Sequence, residues 1–266
     1  MYSKEFYQKL LQLAQEDLSQ AHLRQHFTTA QSYITAYGSA VDGQATWSAV
    51  KPQDTLIYNN STVTGKKYWV SGVEKCNWVV VPAKDDKDLM LVIIPTKDLK
   101  IIPNPTMGME DTLTVHFECN STPAQVLGNR LDPRAWAVAH AHRWCFITNH
   151  LGLAIAAFTD VDLYTKNVVM FDYNKDKIRV DLEILKLLWS NELEILGNQT
   201  WDRDRLVYAF AKKIVMQVAQ LITEITGSGL FEIDQPSHQR YKDILIYSTH
   251  MRNTAMAIQD LKYFLT

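Results

Sequence analysis

Val63-Thr64-Gly65-Lys66-Lys67-Tyr68-Trp69-Val70-Ser71-Gly72, with Asn77-Trp78 shortly after it, is the stretch on which the reading of this chain turns. Its β-branched and aromatic residues spell a strand, and Ser71-Gly72 spells the turn that ends it. Taken alone, Trp69 is a core aromatic and Ser71 a turn residue. The neighbouring segments have the same texture. Short apolar runs stand at 56–58 (LIY), 67–70 (KYWV), 78–83 (WVVVPA), 89–94 (LMLVII) and 113–117 (LTVHF), separated by Gly, Pro, Asn and Asp. This is the signature of an antiparallel β-domain, placed at 31–130. The run at 78–82 is apolar on both parities, so it is expected to be buried on both faces. KDDKD at 84–88 reads as a solvated hairpin turn.

On the N-terminal side, Phe6, Leu10, Leu11, Leu13, Ala14 and Leu18 recur at helical spacing. They predict one amphipathic helix over 4–24, inside a short helical segment 1–30. On the C-terminal side, Asp132-Pro133 is a helix start, and a long helix is expected to about Lys166. YNKDKIRVD at 173–181 reads as a connection. Further helices are expected over about 180–196, from about Asp202 to Gly227, and from about Ser237 to the end. Four long helices with short connections predict an antiparallel four-helix bundle over 131–266.

The chain has 266 residues, 47% of them hydrophobic, and a formal net charge of -2. That balance calls for neither nucleic acid nor an anionic membrane. No run approaches the ~20 uninterrupted apolar residues of a membrane helix. The N-terminus mixes charges into its apolar residues, unlike a signal peptide. Cys76, Cys119 and Cys145 lack metal-type spacing and read as reduced, buried thiols, which suits a cytoplasmic protein. The triplets at Asn60, Asn120 and Asn198 read as chance matches. His140 and His142 point to different helix faces and, with His150, make poor co-ligands, so no metal site is expected. Trp136, Trp144 and Phe146 on the same helix read as core or interface. No phosphate loop, G-x-S-x-G or dinucleotide fingerprint is present.

Three stretches in register resemble the acyl-CoA dehydrogenase superfamily of flavoproteins. The first is the 63–72 segment, similar to that family's N-G-x-K-x-W-I-T-N turn. The second is Gly108-Met109, Phe117, Pro123-Ala124 and Leu127-Gly128, similar to G-M-R-G…F-x-x-V-x-V-P-A-x-x-x-L-G. The third is Gly227, Pro236 and Lys242-Asp243, similar to G…P-x-x-R-x-x-R-D, with Gln239 and Lys242 in place of the arginines. The resemblance covers about 31–266. It implies an α+β fold, an antiparallel β-barrel-like domain followed by the four-helix bundle. It also implies homo-oligomerisation as a dimer or tetramer through the helices.

The resemblance implies a flavin, FAD or FMN, held by Trp69, Val70 and Ser71, with the Ser71 hydroxyl near N5 and Trp69 against the ring. Thr35, in ITAYGSAVD, aligns with a flavin-holding loop of the form T-E-P-x-A-G-S-D. Met251 stands where the dehydrogenases' catalytic Glu is most common, and methionine is no base. Ser71-Gly72 and His250, seven residues after Asp243, lean to the two-component flavin monooxygenase branch, where His250 would be the catalytic residue on the substrate side. The stretch YTKNVVMFD lacks the family's pyrophosphate-binding arginine, and only about 30 residues precede the β-domain. Two readings follow. One is a flavin-dependent oxidoreductase served by a flavin reductase. The other is a non-catalytic homologue, or a partner subunit that completes a site on a full-length homologue.

Overall fold

The computed structural model describes residues 2–86, 88–106, 108–165, 172–194, 201–226 and 236–248. Among the described residues it is a mixed α+β structure of six α-helices and one eight-stranded sheet. The chain divides into two compact units. The first holds 22–106 and 110–142; the second holds 2–21, 107–109 and the chain from 143 onward.

Helix α1 (Lys4–Glu16) starts at Ser3, whose hydroxyl accepts the Phe6 N–H at 3.1 Å. It buries Tyr7, Leu10 and Ala14. The single helix expected over 4–24 is interrupted at Asp17, whose backbone is extended (φ -148°, ψ 100°). The Asp17 carboxylate accepts the Gln20 N–H at 3.0 Å and so caps helix α2 (Leu18–Ala36). α2 continues six residues past residue 30. Ala30, Tyr33 and Ile34 are all buried, and that packing outweighs the strand-like composition of the Tyr-Ile-Thr run.

The strands are β1 (Ala45–Trp47), β2 (Ile57–Asn59), β3 (Thr62–Val70), β4 (Trp78–Lys84), β5 (Leu89–Pro95), β6 (Lys100–Pro103), β7 (Val115–Pro123) and β8 (Gln125–Asn129). Their order is β6-β7-β3-β2-β4-β5-β8, with β1 parallel to β4. β4 is buried on both faces, as its two-sided apolar pattern predicts. Val79, Val81 and Ala83 join Val92, Ile94, Val63, Val70 and Phe117 on one face. Val80 joins Leu91 and Ile93 on the other, under Tyr33 and Ile34 of α2. The expected hairpin at 84–88 joins β4 to β5, with Lys84 opposite Leu89.

A buried ion pair clips the segment before β2 onto β3. Lys67 Nζ donates to Asp54 Oδ2 at 2.5 Å and to the Ala49 carbonyl at 2.6 Å. Asp54 also accepts the backbone N–H groups of Lys51 and Tyr68. Burial still pushes the Lys67 ammonium down to about 8, against the pull of the carboxylate.

In the second unit, helix α3 (Pro133–Tyr164, of which 143 onward belongs here) is followed by α4 (Asp172–Glu194), α5 (Trp201–Thr226) and α6 (Pro236–Ser248). α4 starts about eight residues earlier than expected, so the charged 173–181 stretch is helix rather than connection. By length and hydropathy α5 matches a membrane span, but Val207, Ala211, Ile214, Val215, Val218, Leu221 and Ile222 are buried. Trp144 Nε1–H donates to Asp204 at 2.7 Å. α1 meets α3 where Gly152 has no side chain; a Cβ there would lie 2.6 Å from the Ala14 Cβ. All three cysteines are buried and free, with thiols pushed up by burial.

Candidate functional site

The end of β3, where Trp69, Val70 and Ser71 stand, is irregular. The β3–β7 register slips between Lys67 and Val70. At the slip Trp69 takes a left-handed backbone conformation, φ 57°, which is strained for a bulky side chain. Its indole is 45% exposed. The Trp69 N–H donates to His116 Nδ1 at 3.1 Å, so the neutral His116 ring carries its proton on Nε2. The two rings meet edge-on with centroids 5.4 Å apart. Val70 points the other way, into the sheet's apolar core.

Ser71 is only 4% exposed. Its hydroxyl pairs with His22 Nε2 at 3.2 Å and with Thr114 Oγ1 at 3.0 Å. Thr114 in turn pairs with Thr112, and the Ser71 carbonyl accepts from Thr46 Oγ1 at 2.8 Å. Gly72 is left-handed (φ 72°), and a Cβ on it would lie 2.7 Å from Phe27 and 2.8 Å from Leu23. So α2 lies directly on the Ser71-Gly72 peptide, with His22, Leu23 and Phe27 as the covering side chains.

Behind His22, the buried face of α2 is polar. The His22 and His26 rings are 4.3 Å apart, and His26 and His142 are 5.4 Å apart. His26 Nδ1–H donates to the Trp47 carbonyl at 2.5 Å. His142 Nδ1 meets Thr29 Oγ1 at 2.8 Å and Gln25 Nε2 at 3.5 Å. Burial lowers the His26 pKa to about 4; the Trp47 carbonyl opposes that, and the Lys51 charge adds to it. Tyr33 Oη and Trp47 Nε1 are buried donors with no hydrogen-bond partner among the described residues. Each such donor costs about 1–3 kcal/mol.

Of the three β3-end residues proposed from sequence to hold a flavin, Trp69 is exposed while Val70 and Ser71 are buried. Thr35 lies in the last turn of α2, exposed, paired with Gln31. At 1.5 Å per residue it is roughly 20 Å along the helix from His22, so it is not part of a loop at the Ser71 end. His250 lies outside the described residues, as does Met251. A flavin N5 at Ser71 would need a hydroxyl and a glycine surface that α2 already covers. The residues as they stand do not fit a flavin at that point. The residues missed from sequence are His22, His26 and His116. His22 and His26 are four apart, which places them on one helix face, and that signal was available.

The second unit brings two of the motif stretches together. The Met109 N–H donates to Asp243 Oδ1 at 2.9 Å. Gln239 Nε2 donates to the same oxygen at 2.8 Å. A Cβ on Gly108 would lie 2.6 Å from the Lys242 carbonyl oxygen, which is the physical need for glycine there.

No protein-family model and no curated protein matches the sequence. Solved structures do match. The butyryl-CoA dehydrogenase of Megasphaera elsdenii is 15% identical with a TM-score of 0.79, over 96% of this chain and 80% of that one. XiaF from Streptomyces sp., in complex with FADH2 and glycerol, is 13% identical with a TM-score of 0.77, over 98% and 81%. The 3-HSA hydroxylase of Rhodococcus sp. RHA1 is 14% identical with a TM-score of 0.73, over 98% and 81%. Together with the paired motif stretches at 108–109 and 242–243, these matches give this chain the fold of the acyl-CoA dehydrogenase superfamily.

Proposed function

We propose that this chain is a relative of the flavin-dependent oxidoreductases that does not act as an enzyme alone: a non-catalytic homologue, or a partner subunit completing a site on a full-length homologue. One observation carries the reading. The face expected to meet a flavin, Ser71-Gly72, is closed by the chain's own His22, Leu23 and Phe27. The test is a titration at neutral pH with oxidised and reduced FAD and FMN, followed by absorbance and fluorescence. No saturable binding is expected. Micromolar binding that Trp69→Ala or Ser71→Ala abolishes would overturn the reading.

Trp69 favours a second reading, a flavin-dependent oxidoreductase of monooxygenase type. A strained, half-exposed tryptophan is a ligand-facing feature, and the neighbours include a protein holding FADH2 and a hydroxylase. In this reading α2 must move before the ring can reach Ser71, His250 takes the substrate side, and a flavin reductase supplies reduced FAD or FMN.

Under both readings the helices form a four-helix bundle and the sheet a barrel-like layer. The chain assembles with itself, and the free thiols suit a cytoplasmic setting. α4 offers an assembly face, since Val180, Ile184 and Leu187 are exposed at i, i+4 and i+7.

A further inference from the structure

We propose that α2 is a proton-released lid over the Ser71-Gly72 face, held shut at neutral pH by an uncharged cluster of His22, His26 and His142. This rests on the reading of that face as closed and adds what opens it.

The closed arrangement needs neutral imidazoles. His26 already uses Nδ1–H on the Trp47 carbonyl. A second proton would go on Nε2, in a ring that lies 4.3 Å from His22 and 5.4 Å from His142. Of the groups that face it, only the Trp47 carbonyl favours a charge, and burial outweighs it. From α2 itself there is His22, and beyond His22 the hydroxyls of Ser71 and Thr114. From α3 there is His142, itself held by Thr29 and Gln25. From β1 there is the Trp47 carbonyl. From the segment after β1 there is Lys51, of like sign, whose own backbone N–H is tied to Asp54. The closed lid also buries Tyr33 Oη and Trp47 Nε1 without hydrogen-bond partners among the described residues, which offsets part of what its hydrogen bonds and apolar packing contribute. The opposite face of the sheet is different. Val79, Val81, Val92 and Ile94 pack there with Val63, Val70 and Phe117 in an apolar cluster. Acid should therefore loosen α2 before it loosens β4 and β5.

The sign follows from linkage. The His26 pKa falls from 6.5 to about 4 on closure, so the closed state binds fewer protons between those values. The contribution is complete above 6.5 and is lost as the pH falls toward 4. At about pH 5 the opening equilibrium should be about 30-fold larger than at about pH 7.5.

Hydrogen exchange of the whole chain tests this, with rates corrected for intrinsic pH dependence. Between about pH 7.5 and 5, amides of His22–Ile34 should lose about 30-fold protection while those of Val79–Val81 keep theirs. His26→Asn, whose Nδ2–H can reach the Trp47 carbonyl as Nδ1–H does, should remove most of that pH dependence. In case that variant fails to fold, a wild-type imidazole titration by NMR gives the same answer: His26 must titrate below about pH 5. Loss of protection in α2 and β4 together, no change in either, an unaltered pH dependence in His26→Asn, or an ordinary His26 titration would each overturn the lid. Flavin binding by the wild type at neutral pH would instead overturn the closed-face reading, and the two failures are told apart because exchange needs no flavin.

Discussion

At the scale of single residues, Trp69 and Ser71 have parted company. They sit two apart and would be expected to serve one ligand, yet one is exposed and strained and the other is sealed. The strain makes a prediction. A tryptophan truncated in a core loses about 3–5 kcal/mol. Trp69→Gly should stay within about 1 kcal/mol of wild type in urea unfolding. Relief of the left-handed backbone is worth about 1–2 kcal/mol and offsets the half-buried indole surface. A loss on the core scale would show that Trp69 is structural after all. The same scale explains what the sequence hid. Ser71 carries the right chemistry for a flavin hydroxyl contact, but its partner His22 is 49 residues away, and no local pattern announces that pairing.

Elements were legible where periodicity and burial agree. β3, β4 and the 84–88 hairpin follow directly from alternating or two-sided apolar runs flanked by turn residues. α2 was not legible to its end, because Thr28, Thr29, Tyr33, Ile34 and Thr35 look like strand formers. Their helix is stabilised by burial against β4 and β5, which propensity does not record. The break at Asp17 is a one-residue event with a capping carboxylate, below the grain of periodicity. The element most dependent on a single side chain is the strand pair clipped by Asp54. Asp54→Ala leaves the fully buried Lys67 ammonium without its carboxylate and frees two backbone donors. A loss of about 3–5 kcal/mol is expected by denaturant unfolding, with much of it recovered when Lys67→Met is added. If Asp54→Ala unfolds like wild type, the pair is not what holds the 49–54 segment.

For the molecule as a whole, architecture is better determined than activity. The motif at 108–109 and the motif at 242–243 were matched separately in the sequence and turn out to be hydrogen-bonded partners, which supports the register of both. The expected flavin residues do not converge in the same way. The exposed apolar residues on α4 bear on assembly. Ile184→Glu should lower the mass seen by light scattering from that of an oligomer toward one of 266 residues, with helix content unchanged. An unchanged mass would move the proposed interface elsewhere.

The way the two units share the chain has a consequence for synthesis. The chain passes from one unit to the other four times, so no single cut separates them and the β-rich unit cannot be exchanged as a cassette. α1 leaves the ribosome well before the helix surface that receives it, which lies around Gly152 and is made only after the whole sheet has emerged. At ~5–20 residues per second, Tyr7, Leu10 and Ala14 wait roughly 7–30 s for that surface. For that interval the nascent chain displays the apolar face of α1 without the surface that covers it in the folded chain, which makes Lys4–Glu16 a natural place for a chaperone to act.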